Sequence, residues 1–151
     1  PFDSYLMTLG LETLSLRVRH EVESARRLAE YCRNHPKVER VSFVGFESHP
    51  SYANAKKYFR FGSSAVFTIE LKGTLDSTVR FVESLNLAAH MVMIGDSVTV
   101  VTHPASTTHK QLSDADLAAA GVTPTMLRIS VGLENTDDLI DDFEQAFAHI
   151  G

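Results

Sequence analysis

With 151 residues, 44% of them hydrophobic and 22% charged, the chain is long enough for one domain with a substantial core and too short for two. A formal net charge of -5 without clustered Lys or Arg excludes a phosphate-backbone footprint, so nucleic acid is not an expected partner. The single cysteine, Cys32, excludes an internal disulfide and a multi-cysteine zinc site, and no apolar run approaches the roughly 18 residues that span a bilayer. A cytoplasmic protein with no membrane partner is expected. The start, Pro1-Phe2-Asp3, lacks Met and any basic-then-apolar leader, so a processed product or a piece of a longer chain is expected.

From Ser4 to Arg33, apolar residues at Leu11, Leu14, Val18, Val22, Ala25, Leu28, Ala29 and Cys32 keep the three-four spacing of one helical face. A long helix is predicted, kinked near Gly10 and ended by Asn34-His35-Pro36, because the residue before proline avoids helical geometry. Val38 to Val44 alternates as a short strand. Gly45 to Ser64 shows no sustained period and reads as a long loop with one helical turn at Ala53–Lys57, a length that in a compact domain marks function or an interface. Ala65 to Leu71, β-branched and aromatic, is the strongest strand and stops at Lys72-Gly73.

Thr74 to Leu87 returns to helical spacing through Leu75, Val79, Val82 and Leu85. Met91–Ile94 and Val98–Val101, on either side of Gly95-Asp96, both read as strands. Ser113 followed by Asp116 predicts a capped helix to Ala120 with a stop at Gly121. Met126 to Val131 is another strand, and Asn135 opens a closing helix with Leu139, Ile140, Phe143, Phe147 and Ile150 on its apolar face. Strands adjacent in sequence and too few strand-helix alternations exclude a doubly wound sheet. The expected class is α/β of the α+β type: a small, mainly antiparallel sheet with helices on one face.

Arg128, between Leu127 and Ile129 in a strand, is expensive to place unless an anion meets it, and its fork of donors suits a carboxylate. The alternatives are an internal ion pair with Glu134 or another acid, or an edge side chain in water. Seven histidines invite a metal, but His103 and His109 match no helical ligand pair and no Cys or carboxylate completes a set, so no metal is expected. Ser106, Thr107 and Thr108 are site hydroxyls or turn chemistry. No nucleophile elbow and no glycine-rich phosphate cradle is present, and Lys56 and Lys57 read as solvated. Residue chemistry alone reaches a domain with one candidate carboxylate-binding arginine and no reaction.

Four ordered segments carry more: Pro1-Phe2-Asp3-Ser4-Tyr5-Leu6, Gly10-Leu11-Glu12-Thr13-Leu14-Ser15-Leu16-Arg17, Pro104-Ala105-Ser106-Thr107-Thr108-His109 and Leu127-Arg128-Ile129-Ser130-Val131-Gly132-Leu133-Glu134. With them the chain, from Pro1 to Gly151, resembles the C-terminal portion of the pyridoxal-phosphate enzymes of cysteine and methionine metabolism, the cystathionine gamma-synthase family. Gly45-Phe46-Glu47-Ser48-His49-Pro50, Ala55-Lys56-Lys57-Tyr58 and Ile94-Gly95-Asp96 look most like its O-acetylhomoserine sulfhydrylase branch, which makes homocysteine from O-acetylhomoserine and sulfide.

The resemblance implies the small C-terminal domain of a fold-type I enzyme, residues 35–151, preceded by a long linking helix over residues 1–34. It implies that Arg128 holds the α-carboxylate of the amino-acid substrate, and that Met93 stands where relatives place a substrate-binding Asn or Ser. Thr108 and His109 lie near the same pocket and are expected to bind substrate there, with no catalytic role. The lysine that carries the cofactor, and the residues that hold its phosphate and ring, belong to a large N-terminal domain upstream of Pro1. The chain alone is therefore expected to bind no pyridoxal phosphate, to hold no catalytic residue and to be inactive, while the complete enzyme is a homo-oligomer, a tetramer. Apolar surface along Leu6, Leu9, Leu14 and Leu16 is expected to be exposed without that domain. Methionine gamma-lyase or cystathionine synthesis within the family, and a non-catalytic amino-acid-binding or interaction domain, remain open.

Overall fold

Val66-Phe67-Thr68-Ile69-Glu70-Leu71 alternates apolar and polar side chains, and in the computed structural model, which describes residues 1–150, it forms a strand inside a five-stranded sheet. Gly151, the last residue of the expected domain, lies outside the described residues. The strands are β1 (Val38–Ser42), β2 (Val66–Leu71), β3 (Ala89–His90), β4 (Val100–Thr102) and β5 (Met126–Ser130), in the order β1-β2-β5-β4-β3. β1, β2, β5 and β4 pair antiparallel in turn, and β3 runs parallel to β4, so the sheet is mixed. The helices are α1 (Phe2–Glu12), α2 (Leu14–Asn34), α3 (Tyr52–Tyr58), α4 (Leu75–Glu83), α5 (Asp114–Ala119) and α6 (Thr136–Ala148).

Strand alternation gives the sheet two faces. Val38, Val41, Phe67, Ile69, Leu71, Val101, Leu127 and Ile129 point into one core with Leu28, Ala29 and Cys32 of α2, Phe81 and Val82 of α4, and Leu139, Phe143 and Phe147 of α6. α5 stands outside that layer, sharing a cleft with Arg40 on the other side of β1. Ser113 and Gly121 bound α5 as predicted: the Ser113 hydroxyl accepts from Asp116 N, and Gly121 takes φ +71°. Among the described residues no helix is long and apolar enough to cross a membrane.

Four expectations change. The single helix over residues 1–34 is two, divided at Thr13, which leaves helical geometry at φ -107° and ψ 3°, while Gly10 stays inside α1. Across the break, Arg17 Nη1 donates back to Gly10 O and Thr13 Oγ1. α1 buries no residue and Leu6, Leu9, Leu14 and Leu16 are exposed, whereas Ala25, Leu28, Ala29 and Cys32 in the second half of α2 are sealed in the core. α3 supplies two turns where one was expected. The buried face of α4 is Ser77, Thr78, Phe81 and Val82, with Leu75 exposed. Met91–Ile94 is no strand: β3 ends at His90 and β4 begins at Val100, and the intervening chain runs as an irregular strap. Its backbone groups are taken by side chains of β4 and β5 instead of a neighbouring strand.

Behind the strap, a buried acid on α6 fixes the turn that leads into it. The Asp142 carboxylate accepts from the backbone N–H of Asn86, Leu87 and Ala88 at 2.8, 3.0 and 2.9 Å. Asp142→Ala is expected to cost about 2–3 kcal/mol of unfolding free energy, because these donors lose a charged acceptor out of water, and chemical denaturation measures it. An unchanged midpoint would remove this anchor.

Candidate functional site

Antiparallel register puts Arg128 of β5 directly between Thr68 of β2 and Thr102 of β4, on the sheet face turned away from α2, α4 and α6. Its guanidinium is partly buried. Nη2 donates to Met93 O and to Thr102 Oγ1, each at 3.3 Å. Both bonds are long for a cationic donor, which normally sits about 2.7–2.9 Å from a strong acceptor. Nε is sealed from solvent with no hydrogen-bond partner, and among the described residues no carboxylate lies within 4 Å of the side chain.

Glu134 is not its counter-ion. That carboxylate accepts from Thr99 N at 2.6 Å and Thr99 Oγ1 at 2.7 Å, and the same Oγ1 accepts from Gly132 N at 2.9 Å. With Nε sealed and the residue half-buried, the side chain is only partly open to water. The residues after Arg128 therefore have structural work of their own. Ser130 Oγ accepts from Gly95 N, and a Cβ on Gly132 would lie 2.5 Å from Ser97 O and from Val98 C, so only glycine lets the strap pass. Thr102 Oγ1 donates to Met91 O at 2.6 Å.

The structure brings Met93 to Arg128 through its carbonyl, while its thioether is exposed on the strap with Met91, Val92 and Ile94. Thr108 and His109 hydrogen-bond each other at 2.8 Å and make no hydrogen bond to Arg128. His103, one of the two histidines weighed for a metal, is a buried core residue: Nε2 donates to Pro124 O and Nδ1 accepts from Ser106 Oγ, both at 2.8 Å. Thr107 Oγ1 donates to His103 O, so Ser106 and Thr107 serve the turn around Pro104–Ser106. The cleft between α2, α3 and the 59–63 segment shares no residue with Arg128. Thr102 and Ser130 were missed as site residues because nothing in their spacing reveals which strands pair.

A family model for the Cys/Met metabolism PLP-dependent enzymes matches residues 1–148. The chain is 47% identical to the homocysteine synthase of Schizosaccharomyces pombe, over 97% of this chain and 34% of that protein. It is 43% identical to O-acetyl-L-homoserine sulfhydrylase 1 of Thermus thermophilus, over 98% of this chain and 35% of that one. The crystal structure of a Campylobacter jejuni protein assigned as an O-acetylhomoserine (thiol)-lyase, with N'-pyridoxyl-lysine-5'-monophosphate, matches 98% of this chain and 35% of its own at a TM-score of 0.89 and 36% identity. The chain thus spans about a third of the length of these relatives.

The donor set around Arg128 suits an anion and offers no amine to an aldehyde cofactor. A lysine that holds such a cofactor is desolvated so that its amine is neutral. Lys37 Nζ donates to the carbonyls of Phe147 and Ile150 at the end of α6, and Lys56, Lys57, Lys72 and Lys110 are exposed.

Burial holds the His103 imidazole below its ordinary value near 6.5, outweighing its hydrogen bond to Pro124. The unfolded chain then binds this proton more readily, so stability present above about pH 6.5 falls as the pH drops through the folded-state value. His35, lowered by burial as well, contributes with the same sign. Urea titrations between pH 7.5 and 5 are expected to show unfolding free energy decreasing toward acid, with a smaller slope in His103→Gln. Equal slopes in the two proteins would contradict the neutral, buried imidazole.

Proposed function

Because the chain belongs to the Cys/Met-metabolism family of PLP-dependent enzymes, we propose that it is the C-terminal, substrate-carboxylate-binding domain of an O-acetylhomoserine sulfhydrylase-type enzyme, which replaces the acetate of O-acetylhomoserine by sulfide and releases homocysteine. The observation that carries this reading is the unmet guanidinium of Arg128, with a sealed Nε, two long Nη2 bonds and no acid within ion-pair range. The names of the relatives supply the reaction class and the amino-acid substrate.

In this reading the α-carboxylate of the amino acid is the missing counter-ion. Carboxylate oxygens on the two Nη atoms form the paired geometry that fixes a planar anion in direction as well as position. Fixing the carboxylate fixes the other bonds of Cα, so the proton to be removed faces one side of the site. The partly dry setting strengthens the pair relative to bulk water. The lysine and the cofactor seat belong, in this proposal, to the part of the enzyme outside this chain. The exposed apolar side chains of α1, among them Phe2, Leu6, Leu9 and Leu16, suit burial against that part.

In the complete enzyme, Arg128→Ala is expected to lower kcat/KM for O-acetylhomoserine by about 2–4 kcal/mol, roughly 30- to 900-fold, the range for removing one partner of a buried charge pair. Steady-state kinetics with sulfide decide it, and an unchanged kcat/KM would sink the assignment. Sulfide is expected to outcompete cysteine as nucleophile. Release of an α-keto acid without any added nucleophile would instead point to a gamma-lyase.

A further inference from the structure

Arg128 binds a carboxylate in a useful direction only if the empty guanidinium is already held in place, and the structure shows what holds it. Of the two threonines beside it in the sheet, Thr68 makes no side-chain hydrogen bond to it, whereas Thr102 Oγ1 accepts from Nη2 at 3.3 Å. Thr102 is 1% exposed, so this hydroxyl has no water to turn to. It has one proton, which is committed at 2.6 Å to the carbonyl of Met91. With the proton spent there, the oxygen can only accept from the arginine.

The second support of the guanidinium depends on the same hydroxyl. Nη2 also donates to Met93 O, two residues along the strap from the carbonyl that Thr102 pins. Removing the hydroxyl would take away one acceptor of Nη2 outright and loosen the other. Nε would remain without a partner, free to swing with the side chain.

We propose that Thr102 is the positioning residue of the carboxylate site: by bridging the Met91 carbonyl and the Arg128 guanidinium it presets the donor fork before the amino acid arrives, without touching the substrate. This rests on the reading of Arg128 as the carboxylate anchor. The chemistry predicts a narrow signature. Losing preorganisation weakens the binding of amines that carry an α-carboxylate and leaves those that lack one unaffected.

The test compares equilibrium binding of L-norleucine and n-pentylamine, the same amine without its carboxylate, to the full-length holoenzyme by calorimetry, together with KM and kcat for O-acetylhomoserine. Thr102→Val, of nearly equal shape, is expected to weaken norleucine binding and raise KM by roughly fivefold to tenfold, the effect of one hydrogen bond to a charged group. Pentylamine binding and kcat should stay within about twofold, and Thr102→Ser, which restores the hydroxyl, should recover norleucine binding. Thr102→Ala gives the same comparison if the valine variant does not fold.

Arg128→Ala separates the two layers. If it abolishes the preference for norleucine over pentylamine while Thr102→Val leaves that preference intact, the positioning role is overturned and the carboxylate reading stands. If Arg128→Ala leaves the preference intact, both fall. Equal weakening of the two ligands by Thr102→Val would mean a general loss of structure and would also overturn the proposal.

Discussion

A ladder between a strap without secondary structure and the last strand of the sheet sets up everything else at this site. Arg128, Ser130, Gly132 and Glu134, alternate residues from β5 onward, meet Met93, Gly95, Ser97 and Thr99, each 35 positions earlier. Two extended stretches running the same way side by side present partners at a period of two, and here side chains of one bond the backbone of the other. The third rung has no side chain because a Cβ would strike backbone atoms of Ser97 and Val98. The fourth is an acid that grips Thr99 twice. The signature around Arg128 is thus mostly the means by which the strap is laid down.

That construction explains how an arginine can wait partly buried without an anion. Among the described residues the neighbours offer only a carbonyl and a hydroxyl, each at the long end of hydrogen-bonding range, and the buried Nε has no partner. A polar group left unpaired out of water costs about 1–3 kcal/mol, and the rigid ladder is what keeps the side chain from relaxing into a better arrangement.

The helical layer contributes at a distance. Asp142 on α6 gathers three backbone amides just before β3, and the buried Thr136 hydroxyl donates to Ser24 Oγ on α2, so the helices that pack the core also fix where the strap begins. His103, at the opposite end of β4, locks the Pro104–Ser106 turn to the chain at Pro124, just ahead of β5. Both ends of the short strand that carries Thr102 are therefore tethered to neighbouring elements. α1 takes no part in this; it buries nothing within the chain.

Composition and periodicity were enough to place the main strands, the helical face of α6 and both ends of α5, because each of these rests on local pattern: period two, period three-four, a capping hydroxyl, a glycine stop. The resemblance of four ordered segments was enough to reach the family. Local pattern misled where backbone groups found side-chain partners from elsewhere in the fold. Met91-Val92-Met93-Ile94 has the composition of a strand, yet Thr102, Arg128 and Ser130 claim its carbonyls and amide. The break at Thr13, the second turn of α3 and the burial of Asp142 were likewise hidden, since each depends on contacts between residues far apart in the chain or on backbone geometry at a single residue. Glu134, a plausible counter-ion by sequence distance, is held by Thr99, and only strand register decides that Thr102 stands opposite Arg128. The main elements and the family were written in the chain; which neighbours Arg128 meets was decided by the pairing of β4 with β5, a relation between residues 26 positions apart that no local pattern encodes.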